Sequence, residues 1–528
     1  MGSGDGADAL GSGLTVGMYL VTVTLVLVVA ASSVASVVGF QSAPASAQPS
    51  DVAADTADAQ LTSHGRPVDG TLGGTINLSD ANTTLRGESV GDGAGWSLAS
   101  GDVNGDGQTD VLVGAPFNNS SVGAETGAVY LFYGPVESGD VNLSRANATF
   151  TGVKPGDWAG FSVAAGDVND DGRDDVVVGA PLVDGPTTNN TGAAYVVHGR
   201  NLSGDYSLAS ANATLLGVGT GDLAGRSVAV VPTVSGGPGE DVLVGAPLNN
   251  KAGLQAGTVY LFANESLSGS LSLADANATF TGEAADDNAG WSVSSAGDVN
   301  GDGWTDIVIG AIGNNTTTGA NAGAAYVVFG GGLTGDQSLA AADAKLSGVG
   351  DGDNAGWSVS DAGDVNGDGY GDVVVGAPFN NSTATNAGAA YVVYGAGTLS
   401  NSSLVDANVT LTGEGVGDAA GWAVSSAGSG DITCDRFADV LVGAPRNDST
   451  APSAGAAYLV AGGRHLAGER NLGSAEAKLQ GEGEGDLAGI AVEDGNDTSG
   501  DYLEDALVGA PGTGTAAPRT SSKGGVRS

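Results

Sequence analysis

Cysteine and basic residues are almost missing from this sequence, and each shortage excludes something. The single cysteine, Cys434, cannot form a disulfide within the chain. Seventeen lysines and arginines stand against 60 aspartates and glutamates, which gives a formal net charge of -43. Such a charge repels phosphate backbones and anionic lipids, so nucleic acid is excluded as an electrostatic partner. An acidic, base-poor surface is typical of proteins that fold in high salt, and we therefore expect a halophilic source.

Aromatic residues and histidines are scarce as well. Aromatics make up 5% of the 528 residues, whereas 92 residues are glycine, so a repeat architecture of small units is expected instead of one conventional core. The three histidines, His64, His198 and His465, form no motif with serine or cysteine that is typical of a nucleophilic enzyme. The composition therefore favours a binding protein over an enzyme.

One stretch is repeated along almost the whole chain. Its best copy is Gly101-Asp-Val-Asn-Gly-Asp-Gly-Gln-Thr-Asp-Val-Leu-Val-Gly-Ala-Pro116, with close copies at Gly166, Gly297 and Gly363. Three eroded copies retain only the closing Gly-Ala-Pro and a few acids. The glycine of that closing motif recurs every 65, 66, 65, 66, 67 and 66 residues, at Gly114, Gly179, Gly245, Gly310, Gly376, Gly443 and Gly509. So constant a period indicates one supersecondary unit present seven times.

Each close copy has the alternating oxygen donors of a cation-binding loop. Calcium takes about six to eight oxygen ligands in flexible loops, whereas magnesium demands a strict octahedron, so Ca²⁺ is the expected cofactor. A turn that binds nothing is the alternative, because Asn, Asp and Gly favour turns in any case. Repetition of the same offsets favours metal. The predicted ligands, with a backbone carbonyl at the fourth position of each set, are Asp102, Asn104, Asp106, Gln108 and Asp110; Asp167, Asn169, Asp171, Arg173 and Asp175; Asp298, Asn300, Asp302, Trp304 and Asp306; and Asp364, Asn366, Asp368, Tyr370 and Asp372.

The other three copies have lost part of this set. The third unit keeps Asp241 but has Thr233, Ser235 and Gly237 at the first three ligand positions, so no site is expected there. The sixth and seventh units have Arg436 and Tyr502 in place of a hinge glycine. Their acids are weaker candidates: Asp431, Asp435, Asp439, Asp497, Asp501 and Asp505.

Each unit predicts four short strands bounded by Gly, Asn or Pro. In the fifth unit these are residues 356–360, 372–376, 388–394 and 409–413. Four-stranded sheets repeated seven times predict an all-β fold, a seven-bladed β-propeller of four-stranded blades. Successive hairpin loops point to opposite ends, so the calcium loops share one face and the connections between second and third strands share the other.

Large aromatic residues recur at one position of the unit. Trp96, Trp291, Trp357 and Trp422 occupy it, and Phe161 does so in the second unit. We expect these rings to pack from blade to blade, with carbohydrate stacking as the alternative.

The segments outside the repeats predict export. Residues 14–40 carry no charge and are followed by Ala45-Ser-Ala47, which has the form of a signal-peptidase site. Residues 1–47 are therefore a predicted signal peptide, with a retained membrane anchor through 14–40 as the alternative. Residues 48–57 are a predicted linker, 58–511 the propeller and 512–528 a disordered tail. Sequons, among them Asn77, Asn147, Asn212, Asn277 and Asn408, are compatible with a glycoprotein.

The seventh unit ends without its third strand. Asp58-Ala-Gln-Leu-Thr-Ser-His-Gly65 precedes Arg66 as Tyr195-Val-Val-His-Gly199 precedes Arg200. An unpaired sheet edge has to be covered, so we expect the N-terminal segment to supply the missing strand and close the ring.

The combination of Gly-Asp-Val-Asn-Gly-Asp-Gly, a closing Asp and Val-Gly-Ala-Pro resembles the FG-GAP repeat of integrin alpha chains. The resemblance covers about residues 57–511 and implies a seven-bladed propeller with calcium between strands one and two. It also implies a ligand-binding role for the opposite face. The chain departs from that pattern where Ala94-Gly95 and Ala159-Gly160 replace Phe-Gly and where Ile312 replaces the proline, and nothing after Pro511 resembles integrin leg domains. A heterodimeric receptor is therefore not expected.

Two functions remain open from sequence. The first is extracellular adhesion or ligand recognition, with a protein or glycan bound at the face opposite the calcium loops. The second is a polysaccharide-active, lyase-like enzyme on a propeller scaffold, because some lyases resemble FG-GAP propellers. The lack of catalytic motifs favours the first.

Overall fold

The computed structural model describes residues 58–62, 73–263, 267–317, 319–426, 431–500 and 503–512. The predicted signal or anchor segment, the linker, almost all of the predicted tail, His64 and Asp501 lie outside these ranges. The chain divides into two compact units, Met1–Ala53 and Ala54–Ser528, and everything described below belongs to the second. Within the described ranges, no helix has the length and apolar character needed to cross a bilayer.

The described residues are almost entirely strand and turn. The strands, numbered along the chain, are β1 (Asp58–Thr62), β2 (Gly74–Asn77), β3 (Thr83–Arg86), β4 (Ser97–Gly101), β5 (Asp110–Ala115), β6 (Ala128–Phe132), β7 (Gly139–Asn142), β8 (Ala148–Thr151), β9 (Ser162–Gly166), β10 (Asp175–Ala180), β11 (Ala193–Val197), β12 (Gly204–Ser207), β13 (Ala213–Leu216), β14 (Ser227–Val231), β15 (Asp241–Ala246), β16 (Thr258–Phe262), β17 (Gly269–Ser272), β18 (Ala278–Thr281), β19 (Ala289–Gly297), β20 (Asp306–Ala311), β21 (Ala324–Val328), β22 (Gly335–Ser338), β23 (Ala344–Ser347), β24 (Val359–Gly363), β25 (Asp372–Ala377), β26 (Ala389–Val393), β27 (Ser402–Ser403), β28 (Val409–Thr412), β29 (Ala423–Ser426), β30 (Val440–Ala444), β31 (Ala456–Val460), β32 (Gly468–Asn471), β33 (Ala477–Gln480), β34 (Val492–Asp494) and β35 (Ala506–Ala510). Single-turn 3-10 helices span Leu78–Asp80, Leu143–Arg145, Leu208–Ser210, Leu273–Asp275, Leu339–Ala341, Leu404–Asp406 and Leu472–Ser474.

These strands form sheets of five, ordered β4-β5-β6-β8-β12 in the first unit. The first four strands run antiparallel, and the two central ones, such as β5 and β6, are buried along their whole length. The fifth strand comes from the next unit and pairs in parallel with the outermost strand, as β12 does with β8. Each outer edge is therefore covered by a strand of the following unit, which leaves fewer unpaired backbone groups for aggregation.

The hydrophobic core lies between neighbouring sheets. Each cluster of buried residues combines side chains of two consecutive sheets, and the cluster between the first two contains Phe150 and Val178. The innermost strands β4, β9, β14, β19, β24, β29 and β34 lie side by side in this order, and β34 returns to β4. The described strands therefore form a closed β-propeller.

The glycine of Gly-Ala-Pro is required where adjacent sheets meet. A Cβ atom on Gly114 would lie 2.3 Å from the carbonyl oxygen of Gly160 in the next unit, so no side chain fits. The same contact joins Gly509 in the last unit to the carbonyl oxygen of Gly95 in the first, at 2.0 Å. The repeated glycine therefore sets the spacing between sheets all the way around.

The ring is closed by a sheet made from both ends of the chain. Strand β1 pairs antiparallel with β35, Asp58 opposite Ala510, and on its other side with β3, Asp58 opposite Arg86. The predicted strand from the N-terminal segment is therefore confirmed.

The predicted fold class, a seven-bladed propeller of four-stranded blades, needs correction. Six blades each take their four antiparallel strands from consecutive chain, whereas the remaining sheet, β34-β35-β1-β3-β7, is a composite of the two chain ends. Every sheet, moreover, has five strands. The fifth strand was missed because its residues are mostly exposed and polar, as in Gly204–Ser207, and so lack the alternation that indicates a strand.

Candidate functional site

The predicted ligand loops lie at one end of the propeller. Each follows the innermost strand of its sheet and precedes the next strand, as residues 102–109 do between β4 and β5. Both strands are short and their register is fixed by pairing, with Gly101 opposite Asp110. The first and last acids of the loop are therefore held at the ends of two paired strands.

The first acid of each close copy organises its loop by accepting backbone amides. The carboxylate of Asp102 accepts hydrogen bonds from the N–H groups of Gly105, Asp106 and Gly107 at 2.8, 3.0 and 2.8 Å. Asp298 and Asp364 accept the equivalent bonds, and Asp167 accepts two of them. A carboxylate has about four lone-pair positions, so three amide bonds leave Asp102 the capacity for a further partner.

The last acid of each loop is buried. Asp110 is 0% exposed and accepts hydrogen bonds from the N–H groups of Val103 at 3.0 Å and Gly134 at 2.9 Å. Burial, with a smaller contribution from the charge of Asp102, raises the pKa of Asp110 to about 7. The same cause raises the pKa of Asp175 and Asp372 to about 7 and that of Asp306 to about 6. Each loop therefore holds a desolvated carboxyl group close to other acids.

Between the first and last acids of each loop, only some of the predicted ligand side chains contact one another. The amide nitrogen of Asn104 donates to Asp106 at 3.0 Å, and Asn300 donates to Asp302 at the same distance. In the second loop the amide of Asn169 donates instead to Asp175, at 3.2 Å. Within the described residues, no three acidic, histidine or cysteine side chains converge as a metal cluster. The loops thus bring the predicted acids near one another without joining them around a single point.

The donor set nevertheless fits a hard cation. The side-chain oxygens Oδ1 of Asn104 and Asn169 and Oδ2 of Asp175 are buried and have no hydrogen-bond partner among the described residues. A buried oxygen without a partner costs free energy, and a cation would satisfy it. All candidate side-chain donors in the four close copies are oxygens of Asp or Asn, which is the chemistry that calcium prefers.

The residues expected to supply backbone carbonyls have side chains that pack between blades. The side chain of Arg173 lies against Gly105 of the preceding unit, and that of Tyr370 lies against Gly301. The N–H groups of Gln108, Trp304 and Tyr370 donate to the aspartate at the third ligand position of their own loops. These positions therefore join neighbouring loops, and any metal contact would use only their carbonyl groups.

In each eroded loop, a hydroxyl group donates to the last acid. In the third unit, the hydroxyl of Ser235 donates to Asp241 at 3.0 Å. In the sixth and seventh units, the hydroxyls of Thr433 and Thr498 donate to Asp439 and Asp505, at 3.3 and 2.9 Å. Asp431 accepts the backbone N–H of Arg436 at 2.7 Å, and Asp497 accepts that of Gly500, also at 2.7 Å. Direct hydrogen bonds thus support these loops where the ligand sets are incomplete.

Sequence analysis missed three acids that connect neighbouring loops. Asp174 accepts the backbone N–H of Asp102 in the preceding unit at 2.7 Å, and Glu504 accepts that of Asp431 at 2.7 Å. The N–H of Glu240 donates to the carbonyl of Asp167 at 3.0 Å. All three acids stand directly before the last acid of their own loop. Alignment of the repeats shows this shared position and could have identified them.

The opposite face has a second set of repeated acids, which sequence analysis also missed. Each unit has one aspartate, buried in every unit but the last, that accepts the backbone N–H three residues earlier, as Asp353 does from Gly350 at 2.9 Å. Its carboxylate also accepts the amide of Asn380 at 2.7 Å, and Asn380 donates to the hydroxyl of Tyr391 at 3.1 Å. The seven acids are Asp92, Asp157, Asp222, Asp287, Asp353, Asp418 and Asp486. They fix the connections that form this face.

Aromatic rings cross the same face in a row. Trp96 lies 5.6 Å from Phe161, Trp291 lies 5.1 Å from Trp357, and Trp357 lies 4.7 Å from Trp422, all between ring centroids. The expected packing from blade to blade is confirmed. All five rings keep part of their surface exposed, and we call them the aromatic row.

Comparison with known proteins identifies the repeat. The FG-GAP repeat family matches residues 94–132, 159–197, 289–328 and 355–393. These are the four units whose predicted ligand sets are intact. The chain is therefore a β-propeller that carries FG-GAP repeats.

Individual relatives agree with this class. The chain is 28% identical to integrin alpha-5 of Xenopus laevis over 237 residues, which is 42% of this chain and 20% of that protein. It is 42% identical to integrin alpha-IIb of Mus musculus over 102 residues, 18% of this chain and 10% of the relative. It is 34% identical to phosphatidylinositol-glycan-specific phospholipase D of Bos taurus over 172 residues, 32% of this chain and 20% of that protein. The match thus spans about a fifth of the length of the first of these relatives.

Proposed function

We propose that this chain is an exported propeller that recognises an extracellular protein or glycan through the face opposite its acidic loops, and that calcium stabilises those loops. The observation that carries the proposal is the contrast between the two ends of the same strands. Buried aspartates recur at both ends, whereas the aromatic row lies at the end opposite the acidic loops, partly exposed and beside connections that differ from unit to unit. Varied loops on a rigid frame are where binding usually occurs.

Calcium would be held by the four complete ligand sets, beginning at Asp102, Asp167, Asp298 and Asp364. A divalent cation supplies the positive charge that makes buried, closely spaced carboxylates favourable in their ionised form. The role is structural, because the acids are committed to backbone amides within the loops. The face opposite the acidic loops, which carries the aromatic row, is therefore the one available to a partner.

The relatives support recognition more than catalysis. Integrin alpha-5 matches over more of this chain than the phospholipase does, 42% against 32%. The match to the phospholipase spans only 20% of that enzyme, so we do not assign its activity to this chain. Export rests on the predicted signal or anchor segment.

Exchange of two connections tests the recognition face. Residues 117–125 and 379–386 are replaced by Gly-Ser turns, and the control replaces residues 396–401 at the acidic end by a Gly-Ser segment of equal length. We expect binding to a glycan array or to cell surfaces to fall at least about tenfold for the first pair and to be unchanged for the control. Removing one dominant interaction from a binding site weakens affinity by roughly 1.4 kcal/mol or more, which is about tenfold.

Circular dichroism and melting curves establish that the exchanged proteins are folded. Binding that survives both exchanges in a folded protein would contradict a site on this face.

A further inference from the structure

The aromatic row is interrupted by one residue of a different kind. In every unit the residue after an Ala-Gly pair lies at the start of the innermost strand, and in six units it is large and apolar: Trp96, Phe161, Trp291, Trp357, Trp422 and Ile490. In the third unit it is Arg226. This is also the unit that has lost its metal ligands.

Arg226 lies between two rings of the row. Its guanidinium carbon is 3.9 Å from the centroid of Trp291 and 5.1 Å from that of Phe161. A guanidinium stacked on aromatic faces is held in place, and its N–H groups remain available at the edges. The rings thus position a cation on the recognition face.

This cation has no counter-charge in the described structure. Among the described residues, no carboxylate lies within ion-pair distance of Arg226 and no acceptor hydrogen-bonds to its side chain. Burial lowers the pKa of Arg226 to about 9, because the charged form is poorly solvated between the two rings. The indole nitrogen of Trp291 is also buried and has no hydrogen-bond partner among these residues. Two neighbouring donors therefore lack acceptors in a chain with 60 acids.

We infer that Arg226, with the indoles beside it, binds the carboxylate of an acidic sugar at the end of a glycan, an inference that rests on the proposed recognition face. The guanidinium provides two parallel N–H groups that match a carboxylate. The neighbouring rings provide flat, partly exposed surfaces on which the C–H face of a pyranose stacks.

A sugar fits this row better than an acidic protein side chain does. Aspartate and glutamate would supply the carboxylate, but they have no flat apolar face to cover Trp291 and Trp357, whose centroids are 5.1 Å apart.

The net charge of the protein limits the ligand to few acidic groups. A net charge of -43 repels a long polyanion, whereas one terminal carboxylate meets a single local cation. Salt screens the long-range repulsion more than the contact at a partly buried pair. Binding should therefore persist in high salt.

Calorimetry with two matched oligosaccharides tests this inference. One ends in glucuronic acid and the other in glucose, and both are measured with the intact chain in moderate and high salt. We expect the acidic probe to bind about ten- to a hundredfold more tightly, since hydrogen bonds to charged groups contribute roughly 1.5–3 kcal/mol. Arg226→Gln should abolish this preference, and Trp291→Ala should weaken both probes. Arg200→Gln, an exposed arginine at the acidic end, should change neither.

Stability separates recognition from a structural role. Removing a buried charge that lacks a partner should leave the melting temperature of Arg226→Gln unchanged or higher. If Arg226→Gln melts several degrees lower and still prefers the acidic oligosaccharide, Arg226 only stabilises the packing of the rings. That result would overturn the inference. Equal binding of the two probes, or equally tight binding of an acidic peptide, would also overturn it.

The outcome is distinguishable from failure of the proposed function. Ligand binding that depends on residues 117–125 and 379–386 but not on Arg226 would leave the recognition face standing and remove only this inference. Ligand binding that depends neither on residues 117–125 and 379–386 nor on Arg226 would contradict both the proposed recognition face and this inference.

Discussion

At the scale of single residues, the repeat explains features that look like chance in the sequence. The sequon residues Asn147, Asn212, Asn277 and Asn408 each accept a backbone N–H 14 residues earlier, at 2.9 to 3.0 Å. Asn77 caps a 3-10 helix in the same way that Ser or Asn does in other units. Their recurrence therefore has a structural cause, independent of glycosylation.

The ligand residues could be predicted because their information is local. The offsets between Asp102 and Asp110 lie within one loop, so the sequence alone defines the set. Arg226 could be read as a departure from the repeat, but its position between Phe161 and Trp291 depends on three blades at once. Sequence reasoning has no access to such a contact.

Glu493 is one of the acids that make stability depend on pH. Burial raises the pKa of Glu493 to about 8, the charge of Asp494 adds to the shift, and a hydrogen bond from Ser425 opposes it. A raised pKa means that the folded state binds the proton more tightly, so stability is highest at low pH and falls as pH rises from about 4.5 to about 8.

Glu493→Gln should remove this part of the pH dependence and raise the melting temperature at alkaline pH by a few degrees. The exposed Glu484→Gln serves as control for the loss of one negative charge. Melting curves from mildly acidic to alkaline pH check the prediction, which is wrong if the two variants show the same slope.

At the scale of elements, calcium should stabilise the loops that follow the innermost strands. Binding to the folded state alone stabilises by about 2.7 kcal/mol per ion at a hundredfold excess over the dissociation constant. Chelation in constant high salt should therefore lower the melting temperature, and elemental analysis should find about four ions per chain, one for each complete set.

Asp368→Ala should remove one ion and increase hydrogen exchange in residues 364–372 only. Asp406→Ala, which changes an exposed acid on the outer side of the same sheet, is the control. Far fewer than four ions, together with an unchanged melting temperature, would contradict the ligand assignment.

Strand β1 should be essential to the composite sheet. Gln60 pairs with Thr84 on one side and Val508 on the other, so its backbone lies in the middle of the sheet. Gln60→Pro removes an N–H group and should destabilise the protein by about 3 kcal/mol or more, whereas Gln60→Ala should have little effect. Proteolysis and melting curves distinguish the two, and equal stability would show that β1 is dispensable, as would a harmless deletion of residues 57–66.

Elements were predictable where hydrophobic alternation marks them. In the fifth unit the observed strands Asp372–Ala377 and Ala389–Val393 lie within one residue of the expected ones. The parallel fifth strand was not predictable, because its partner lies in the preceding unit and its side chains face solvent. Its stabilisation comes mainly from backbone pairing, with single side-chain contacts such as the stacking of Tyr206 on Phe150.

At the scale of the whole molecule, the net charge of -43 should make stability depend on salt. Like charges at the surface repel, and added salt shortens the range of this repulsion to about 3 Å at molar concentration. The melting temperature should therefore rise steeply with sodium chloride and then level off.

Changing the exposed Asp406, Glu469 and Glu484 to their amides should raise the melting temperature at low salt and have little effect at high salt. A series in sodium chloride, with sucrose as an uncharged reference, checks this. A salt response that is identical for the variant and the natural chain would mean that surface repulsion is not the cause.

The composite sheet also determines when folding can be completed during synthesis. Asp58 and Ala510 are partners although about 450 residues separate them, so β1 is synthesised long before the strand that pairs with it. Loop closure of this length is slow, and β1 exposes an unpaired edge until β35 pairs with it. A chain halted before residue 506 would hold six nearly finished blades and an open ring, because β35 would be missing from the composite sheet.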